Sequence, residues 1–125
     1  MGVSLKNVRS YLFNKEKRER LLREKERDEI ISKLKSLEII WRKYRIKKVY
    51  LYGSFVDTTF HKYSDIDIAI EPKIAFEDLL HLFSEINKQI ERETDVRVLD
   101  ELPFAREVKN KGILIYERKN SHTQK

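Results

Sequence analysis

The stretch from Lys48 to Ile70, KVYLYGSFVDTTFHKYSDIDIAI, constrains the fold more than any other part of the chain. It holds two short runs in which apolar residues alternate with other residues. This pattern predicts two strands, at about Lys47–Tyr52 and Asp65–Ile70. A glycine and a serine directly follow the first strand. The stretch therefore places a tight turn and two spaced carboxylates on one scaffold.

The second predicted strand carries two aspartates on one face. Side chains two residues apart in a strand point the same way, so Asp65, Asp67 and Ala69 share one side and the isoleucines between and after them take the other. Two anionic groups side by side repel each other more strongly as water is removed, so such a pair usually implies a cation. Mg²⁺ is the expected ion, because it binds one or two carboxylates and completes its shell with water and phosphate oxygens.

The turn between the strands predicts an anion site. Gly53 permits a sharp turn and a close approach of the backbone to a ligand. Ser54 is expected to be the N-cap of a short helix over Phe55–Thr59, whose free N–H groups would favour a phosphate. An anion site beside a metal site suits phosphoryl or nucleotidyl transfer from a triphosphate.

The size and composition limit the class of protein. A chain of 125 residues fits one domain with a modest core. It has no cysteine, which excludes disulfides, thiolate chemistry and sulfur-ligated zinc. No apolar run is long enough to cross a bilayer and no signal peptide is evident, so we expect a cytoplasmic protein with no membrane partner.

The net charge of +6 is distributed unevenly. Residues 1–50 hold 16 Lys and Arg against 7 acidic residues, whereas the remainder holds 11 against 14. The basic half could meet nucleic acid or an acidic protein. The simpler interpretation is that these charges solvate a long helix.

The N-terminal half is predicted to be helical. Residues 1–13 have near-helical apolar spacing, and the stretch from Lys15 to Tyr44 contains no Gly or Pro and predicts one long helix or two. The apolar positions become denser toward the end of this stretch, so we expect its later part, with Trp41 and Tyr44, to pack on the sheet while the earlier part projects.

The C-terminal half is predicted to alternate helices and strands. A helix is expected over Phe76–Arg92 and a strand over Thr94–Leu99. Asp100 is expected to be the N-cap of a helix that runs to Lys111 and ends at Gly112, followed by a strand over residues 113–117 and a disordered tail from Arg118. The order predicts an α/β (α+β) fold with a small mixed β-sheet backed by helices on one face and a long basic N-terminal helix.

The third predicted strand adds two charged candidates to the site. Asp95 opens this strand, and alternation places Asp95 and Arg97 on the same side. Together with Gly53-Ser54, ten intervening residues and Asp65-Ile66-Asp67, this arrangement resembles the minimal nucleotidyltransferase domains of the DNA polymerase beta-like superfamily. The resemblance covers about residues 33–117, which leaves 1–32 as a basic helical extension and 118–125 as a tail.

The resemblance implies specific roles for the site residues. Asp65 and Asp67 would bind two Mg²⁺ ions, and Asp95 would complete one metal site and help to deprotonate the acceptor hydroxyl. Gly53 and Ser54 would hold the triphosphate of ATP. Members of this size are similar to antitoxins encoded beside an all-helical HEPN ribonuclease, which implies transfer of AMP to a tyrosine of that toxin. A second copy of the chain is the other expected source of an acceptor pocket.

The sequence departs from the family after the serine. Many relatives carry Arg and Gly there, whereas this chain continues with residues 55–60, FVDTTF. We hypothesise that Arg97, or Lys62 in the loop, supplies the missing cation. The three histidines are scattered and do not form a ligand set, at positions His61, His81 and His122.

A second class of function remains open. The chain could be a non-catalytic binding module that neutralises a toxin stoichiometrically or holds nucleic acid on its basic helix, the latter being less favoured. In that case Asp65 and Asp67 are simply the exposed face of an edge strand. Transfer to a small molecule would need an acceptor cavity built by a homodimer.

Overall fold

The computed structural model describes residues 4–119, which form four helices and four strands. The helices are α1 (Leu5–Ser36), α2 (Glu38–Lys43), α3 (Phe76–Gln89) and α4 (Ala105–Lys111). The strands are β1 (Lys48–Tyr52), β2 (Ile66–Glu71), β3 (Thr94–Val98) and β4 (Ile113–Glu117). Two three-residue 3-10 turns follow β1 and β3, at Gly53–Phe55 and Leu99–Glu101.

The strands form one mixed sheet in the order β3-β2-β1-β4. Strand β1 is antiparallel to both of its neighbours, β2 and β4, whereas β2 and β3 are parallel. All four strands lie within one residue of their predicted bounds. The prediction of a small mixed sheet is confirmed.

The main core lies on one face of the sheet. The three isoleucines of β2 are fully buried there, as the alternation predicted, under the end of α1, α2 and α3. Trp41 is fully buried, and its indole Nε1 donates a hydrogen bond to the carbonyl oxygen of Leu34 at 3.0 Å. Because the indole N–H is satisfied, this large side chain can anchor α2 to α1 inside the core.

A smaller core lies on the opposite face, so the expectation of helices on one face only was incomplete. It joins residues of β1 and β2 to α4 and the turn before it, namely Tyr50, Ala69, Leu99, Leu102 and Val108. Tyr50 and Ala69 are register partners on this face. Their apolar side chains require cover, and α4 supplies it.

Helix α1 is one continuous helix rather than two segments. Ser4 is its N-cap and accepts a hydrogen bond from the backbone N–H of Asn7 at 3.1 Å. Residues 4–22 are all exposed, whereas Leu34 is fully buried. The first half therefore projects by about 27 Å at 1.5 Å per residue, as predicted, and the helix passes residue 33 without a break. Within residues 4–119, no helix is long and apolar enough to span a membrane.

The start of α4 differs from the prediction. Asp100 lies in the 3-10 turn, and the N-cap of α4 is Phe104, which makes no side-chain capping bond. Pro103 explains the difference, because the residue before a proline is driven out of the helical region. Leu102 is indeed extended, with φ −86° and ψ 132°.

Two other boundaries are also corrected. Helix α3 ends at Gln89, three residues before the predicted end, and Ile90 is extended. The predicted disordered tail begins too early, because the Arg118 N–H donates a hydrogen bond to the Lys47 carbonyl at 2.8 Å. The remainder of the predicted tail, from residue 120, lies outside the described residues.

Candidate active site

Three polar side chains stand in one row across the sheet. Tyr52 of β1 is the register partner of Asp67 in β2, and Asp67 is the register partner of Asp95 in β3. Register partners point to the same face of a sheet. The row therefore lies on the face that α4 covers, next to the turn that follows β1.

Gly53 lies against the carboxylate of Asp67. Its φ of +80° is in the left-handed region, which glycine adopts without steric cost. A Cβ at this position would stand 2.4 Å from Oδ2 of Asp67, closer than any van der Waals contact permits. The close backbone approach predicted for Gly53 is thus made to Asp67, and it holds the turn beside this carboxylate.

The segment after Gly53 is not the predicted helix. A 3-10 turn covers Gly53–Phe55 with Tyr52 at its N-cap position, so Ser54 is not a helix N-cap. The carboxylate of Asp57 accepts hydrogen bonds from the backbone N–H and the hydroxyl of Thr59, at 3.1 and 2.6 Å. Short polar side chains that bond nearby backbone groups compete with a helix, which explains the irregular path. The helix-based argument for an anion site at Ser54 was therefore wrong, although Ser54 still lies beside Gly53.

The electrostatics at Asp67 are those of crowded negative charge. Partial burial raises the pKa of the Asp67 carboxyl above its ordinary value, and the charges of Asp95 and Asp65 raise it further. Only Arg97 acts in the opposite direction. A carboxylate whose charge is disfavoured in this way is suited to a cation or a proton.

Tyr52 shares this environment. Burial, followed by the negative charges of Asp67 and Asp95, raises the pKa of its phenol to about 12. Tyr52 is therefore neutral at physiological pH and remains a hydrogen-bond donor beside the acids. Sequence analysis missed this residue, although its position directly before Gly53 in an alternating strand placed it on the aspartate face.

Arg97 pairs with Asp95. Its Nε donates to both carboxylate oxygens of Asp95, at 3.2 and 3.1 Å. This ion pair raises the pKa of the guanidinium. The two side chains share one face, as the alternation predicted. The positive charge of Arg97 therefore lies near the row of Tyr52, Asp67 and Asp95, and its ion pair is with Asp95.

Asp65 stands apart from the other two acids. It is exposed and lies just before β2 instead of inside it. Among residues 4–119, no three His, Cys, Asp or Glu side chains come together in a group that could hold a metal ion. The structure places Asp67 and Asp95 on adjacent strands, but it does not bring all three acids into one cluster.

The donor chemistry nevertheless fits a hard divalent cation. Carboxylate oxygens are ligands that Mg²⁺ prefers. The pKa of Asp67 is raised by burial and then by the negative charges of Asp95 and Asp65. A bound cation would relieve this repulsion. Asp67 and Asp95 are the residues best placed to hold it, with Asp65 two residues before Asp67 in the chain.

The loop between the turn and β2, residues 56–65, is held by Arg92. The guanidinium Nη1 of Arg92 donates to the carbonyl oxygens of His61, Lys62 and Ser64, at 3.0, 3.1 and 2.8 Å. Its Nη2 and Nε both lie 2.9 Å from Oε2 of Glu26 in α1. Because this loop leads into Asp65 and Asp67, Arg92 positions the chain that carries the acids.

Aromatic rings and helix α1 also contact this loop. Phe55 and Phe60 stack with ring centroids 3.9 Å apart, and the Arg92 guanidinium lies 5.1 and 5.3 Å from them. Arg23 of α1 donates from Nε to the Thr58 carbonyl at 2.8 Å. The basic helix therefore supports the loop next to the candidate site. No local sequence pattern marks these contacts.

A pocket of about 370 Å³ opens next to Gly53. The turn after β1 forms one wall and α4 forms the other; the lining residues are Tyr52, Gly53, Val56, Asp57, Phe104, Glu107, Val108, Lys111 and Gly112. The rings of Tyr52 and Phe104 are in contact, with centroids 5.9 Å apart and planes tilted by 57°. Sequence analysis did not identify this pocket, because the two walls are distant in the chain.

The other predicted candidates lie elsewhere. Lys62 lines a separate pocket with residues of α1 and lies 5.6 Å from the ring centre of Tyr63. It does not line the pocket beside Gly53, which weakens its case as the missing cation. His61 accepts a hydrogen bond from the Tyr63 N–H within its own turn, and His81 is exposed on α3. His122 lies outside the described residues.

Comparison with known families gives one match that covers most of the chain. The model of the family described as polymerase beta, nucleotidyltransferase matches residues 33–121. The match includes the turn, the loop and all three acids of the candidate site. No curated protein matches the chain in sequence.

Two solved structures are similar to this fold. One is a crystal structure of a toxin-antitoxin with AMP-PNP, with 20% identity, a TM-score of 0.56, and coverage of 73% of this chain and 77% of that chain. The other is a mutant of the toxin-antitoxin MntA-HpeT, with 16% identity, a TM-score of 0.55, and coverage of 72% and 77%. At such low identity the likeness concerns the fold alone.

Proposed function

We propose, because this chain belongs to the polymerase beta nucleotidyltransferase family, that it transfers AMP from ATP to a tyrosine hydroxyl of a partner HEPN ribonuclease toxin and so acts as an antitoxin. The row of Tyr52, Asp67 and Asp95 with Gly53 against the Asp67 carboxylate carries this proposal. The similarity in fold to two toxin-antitoxin structures, one of them with AMP-PNP, supports the choice of partner and nucleotide.

The three acids and the turn after β1 have separate proposed roles. Asp65, Asp67 and Asp95 hold Mg²⁺, and Gly53 and Ser54 contact the triphosphate through the turn after β1. When bound, Mg²⁺ supplies a positive charge that offsets the phosphate charge. The raised pKa of Asp67 supports its role as a ligand, because a nearby divalent charge would stabilise its ionised form.

The proposed reaction forms one bond and breaks one bond. The tyrosine oxygen of the acceptor forms a bond with the α-phosphorus of ATP, and the bond from that phosphorus to the α–β bridging oxygen breaks. Asp95 accepts the phenolic proton, and pyrophosphate leaves. Arg97, which already contacts Asp95, is proposed as the cation that also balances the phosphate charge.

Labelled ATP tests this function directly. The full chain is incubated with Mg²⁺, the candidate toxin and ATP labelled in either the α- or the γ-phosphate. Label from the α-phosphate should enter the toxin, whereas γ-label should not. Asp65→Asn, which is exposed and should fold normally, should abolish the transfer. Transfer by the Asp65→Asn variant at the wild-type rate would refute the metal role of this residue.

A non-catalytic function is the second candidate, and the exposed half of α1 favours it. Residues 4–22 carry six basic and two acidic side chains and contain several exposed apolar residues, such as Leu5, Tyr11 and Phe13. This surface could bind a partner without chemistry. If Asp65→Asn neutralised a toxin at an equimolar ratio, the binding module would be the correct function. If the chain binds nucleic acid instead, affinity should fall steeply as the salt concentration rises.

A further inference from the structure

The pocket between the turn after β1 and α4 has the chemistry of a nucleobase site. Tyr52, Val56, Phe104 and Val108 give it apolar and aromatic walls. Phe104 is 43% exposed, so its ring is accessible to a ligand in the pocket. The pocket volume of about 370 Å³ is within the range of small-ligand sites.

The charges in the pocket disfavour a phosphate group. Two carboxylates, Asp57 and Glu107, and one ammonium group, Lys111, line it. The excess of negative charge would repel a triphosphate. Asp57 already bonds Thr59, so Glu107 and Lys111 are the groups available to accept from an exocyclic amine and donate to a ring nitrogen.

The position of the pocket matches the geometry of a nucleotide. One end of the pocket is Gly53, which contacts the carboxylate of Asp67. A nucleotide whose α-phosphate is beside Asp67 would extend its sugar and base from that point in one direction, and its two outer phosphates in the other. Because Gly53 lines the pocket and lies against Asp67, the pocket offers an apolar surface within reach of a nucleotide held at Asp67.

We propose that this pocket binds the purine base of the nucleotide, with Phe104 and Tyr52 as the aromatic surface on which the base stacks. This inference rests on the proposed function and specifies how the substrate is recognised. Stacking on an aromatic side chain is tolerant of base identity, so Glu107 and Lys111 supply the polar selection.

Calorimetric titration of the full chain with Mg²⁺ and either ATP or inorganic tripolyphosphate tests the inference. Phe104→Ala should raise the Kd for ATP about tenfold or more and change the Kd for tripolyphosphate by less than about twofold. Phe104→Tyr retains the ring and should bind ATP as the wild type does. Phe76→Ala is the matched control, because Phe76 is 70% exposed on α3 and does not line the pocket.

Several results would overturn the inference. Unchanged ATP affinity in Phe104→Ala would remove the stacking role, and an equal loss of both ligands would indicate general damage to the site. A measurement on the wild type needs no variant: ATP should bind at least about tenfold more tightly than tripolyphosphate, and equal affinities would also refute a base site. If the wild type binds neither ligand, the proposed function fails together with the base pocket, whereas ATP binding without an effect at Phe104 refutes the pocket alone.

Discussion

Asp67 is a proposed metal ligand whose negative charge also lowers the stability of the folded chain. Its pKa in the folded chain is raised above the ordinary value of 3.8, so the native state binds a proton more tightly than the unfolded state. The free energy of unfolding therefore falls as the pH rises through the interval between the two pKa values, and the loss persists above it. Below pH 3.8 the loss is absent.

Replacement of Asp67 should separate stability from activity. Asp67→Asn removes the unfavourable charge, so we expect a higher Tm at pH 7 than in the wild type and a weaker dependence of the Tm on pH above 3.8. Transfer activity should fall by at least about 100-fold, a loss typical of removing one electrostatic group from an active site. Thermal melts across pH and a labelled-ATP assay measure both effects. A lower Tm at pH 7 would contradict the electrostatic account.

Gly53 gives a second test at the scale of one residue. Gly53→Ala places a Cβ 2.4 Å from the Asp67 carboxylate and forces an L-residue into φ +80°. The left-handed conformation alone costs about 1–2 kcal/mol. We expect a lower free energy of unfolding in a urea titration and a loss of transfer activity. Asn tolerates the left-handed conformation better than Ala, so Gly53→Asn should be more stable than Gly53→Ala. It keeps the clash with Asp67, so its transfer activity should remain low.

The residues of the site differ in how far sequence could predict them. Alternation along β2 and β3 placed Asp67, Asp95 and Arg97 on one face, because strand geometry depends only on local spacing. Tyr52 was missed although alternation along β1 places it on this face. Its proximity to Phe104 could not be predicted, because it depends on how α4 packs on the sheet. The site roles of Asp65 and Ser54 remain predictions, and the predicted convergence of the three acids is not seen among residues 4–119.

The element that most affects the site is the 56–65 loop. Arg92 contacts it through three backbone carbonyls and is held by Glu26 of α1. Arg92→Met should lower the free energy of unfolding by about 2 kcal/mol, because it removes charged hydrogen bonds in a half-buried setting. Transfer activity should fall as well, since the loop leads into Asp65.

Arg42→Met is the control for the loop variant. Arg42 is exposed at the end of α2, so its replacement should change the free energy of unfolding by less than about 0.5 kcal/mol and leave the transfer activity unchanged. An Arg92→Met variant that is as stable and active as Arg42→Met would show that the loop needs no support from Arg92.

The two halves of α1 should respond differently to the same substitution. Leu34 is fully buried in the main core, and Leu34→Ala should cost about 2–5 kcal/mol. Leu12 is 49% exposed on the projecting half, and Leu12→Ala should change the free energy of unfolding by less than about 0.5 kcal/mol. A large loss for Leu12→Ala in urea denaturation would mean that the projecting half packs against the rest of the chain or a second copy.

Element boundaries were predicted well where a repeating pattern defined them. The strands and the buried part of α1 followed from alternation and helical spacing. Two of the errors occurred where a side chain competes with the backbone or a proline intervenes, at Asp57 and Pro103. Such local effects change the relative free energies of a helix and a 3-10 turn only slightly, and they cannot be inferred from the spacing of apolar residues.

At the scale of the whole molecule, the chain forms one mixed sheet with a large core on one face and a small core on the other. The row of Tyr52, Asp67 and Asp95 lies on the face with the smaller core, beside α4, and its side chains are only partly buried. The mixed sheet was predicted from the sequence, but helices were expected on one face only. The apolar side chains of Tyr50 and Ala69, which lie on the other face, were not considered. The fold thus leaves an accessible edge at the site where we propose that a nucleotide and an acceptor meet.

Anomalous scattering from a crystal of the full chain grown with Mn²⁺ and AMP-PNP tests the central claim most directly. We predict a Mn²⁺ peak within coordination distance of Asp67 and Asp95, with Asp65 drawn toward it and phosphate oxygens beside Gly53 and Ser54. A nucleotide bound elsewhere, or an ion-free row in which the Asp67 and Asp95 carboxylates remain as they are here, would contradict the account.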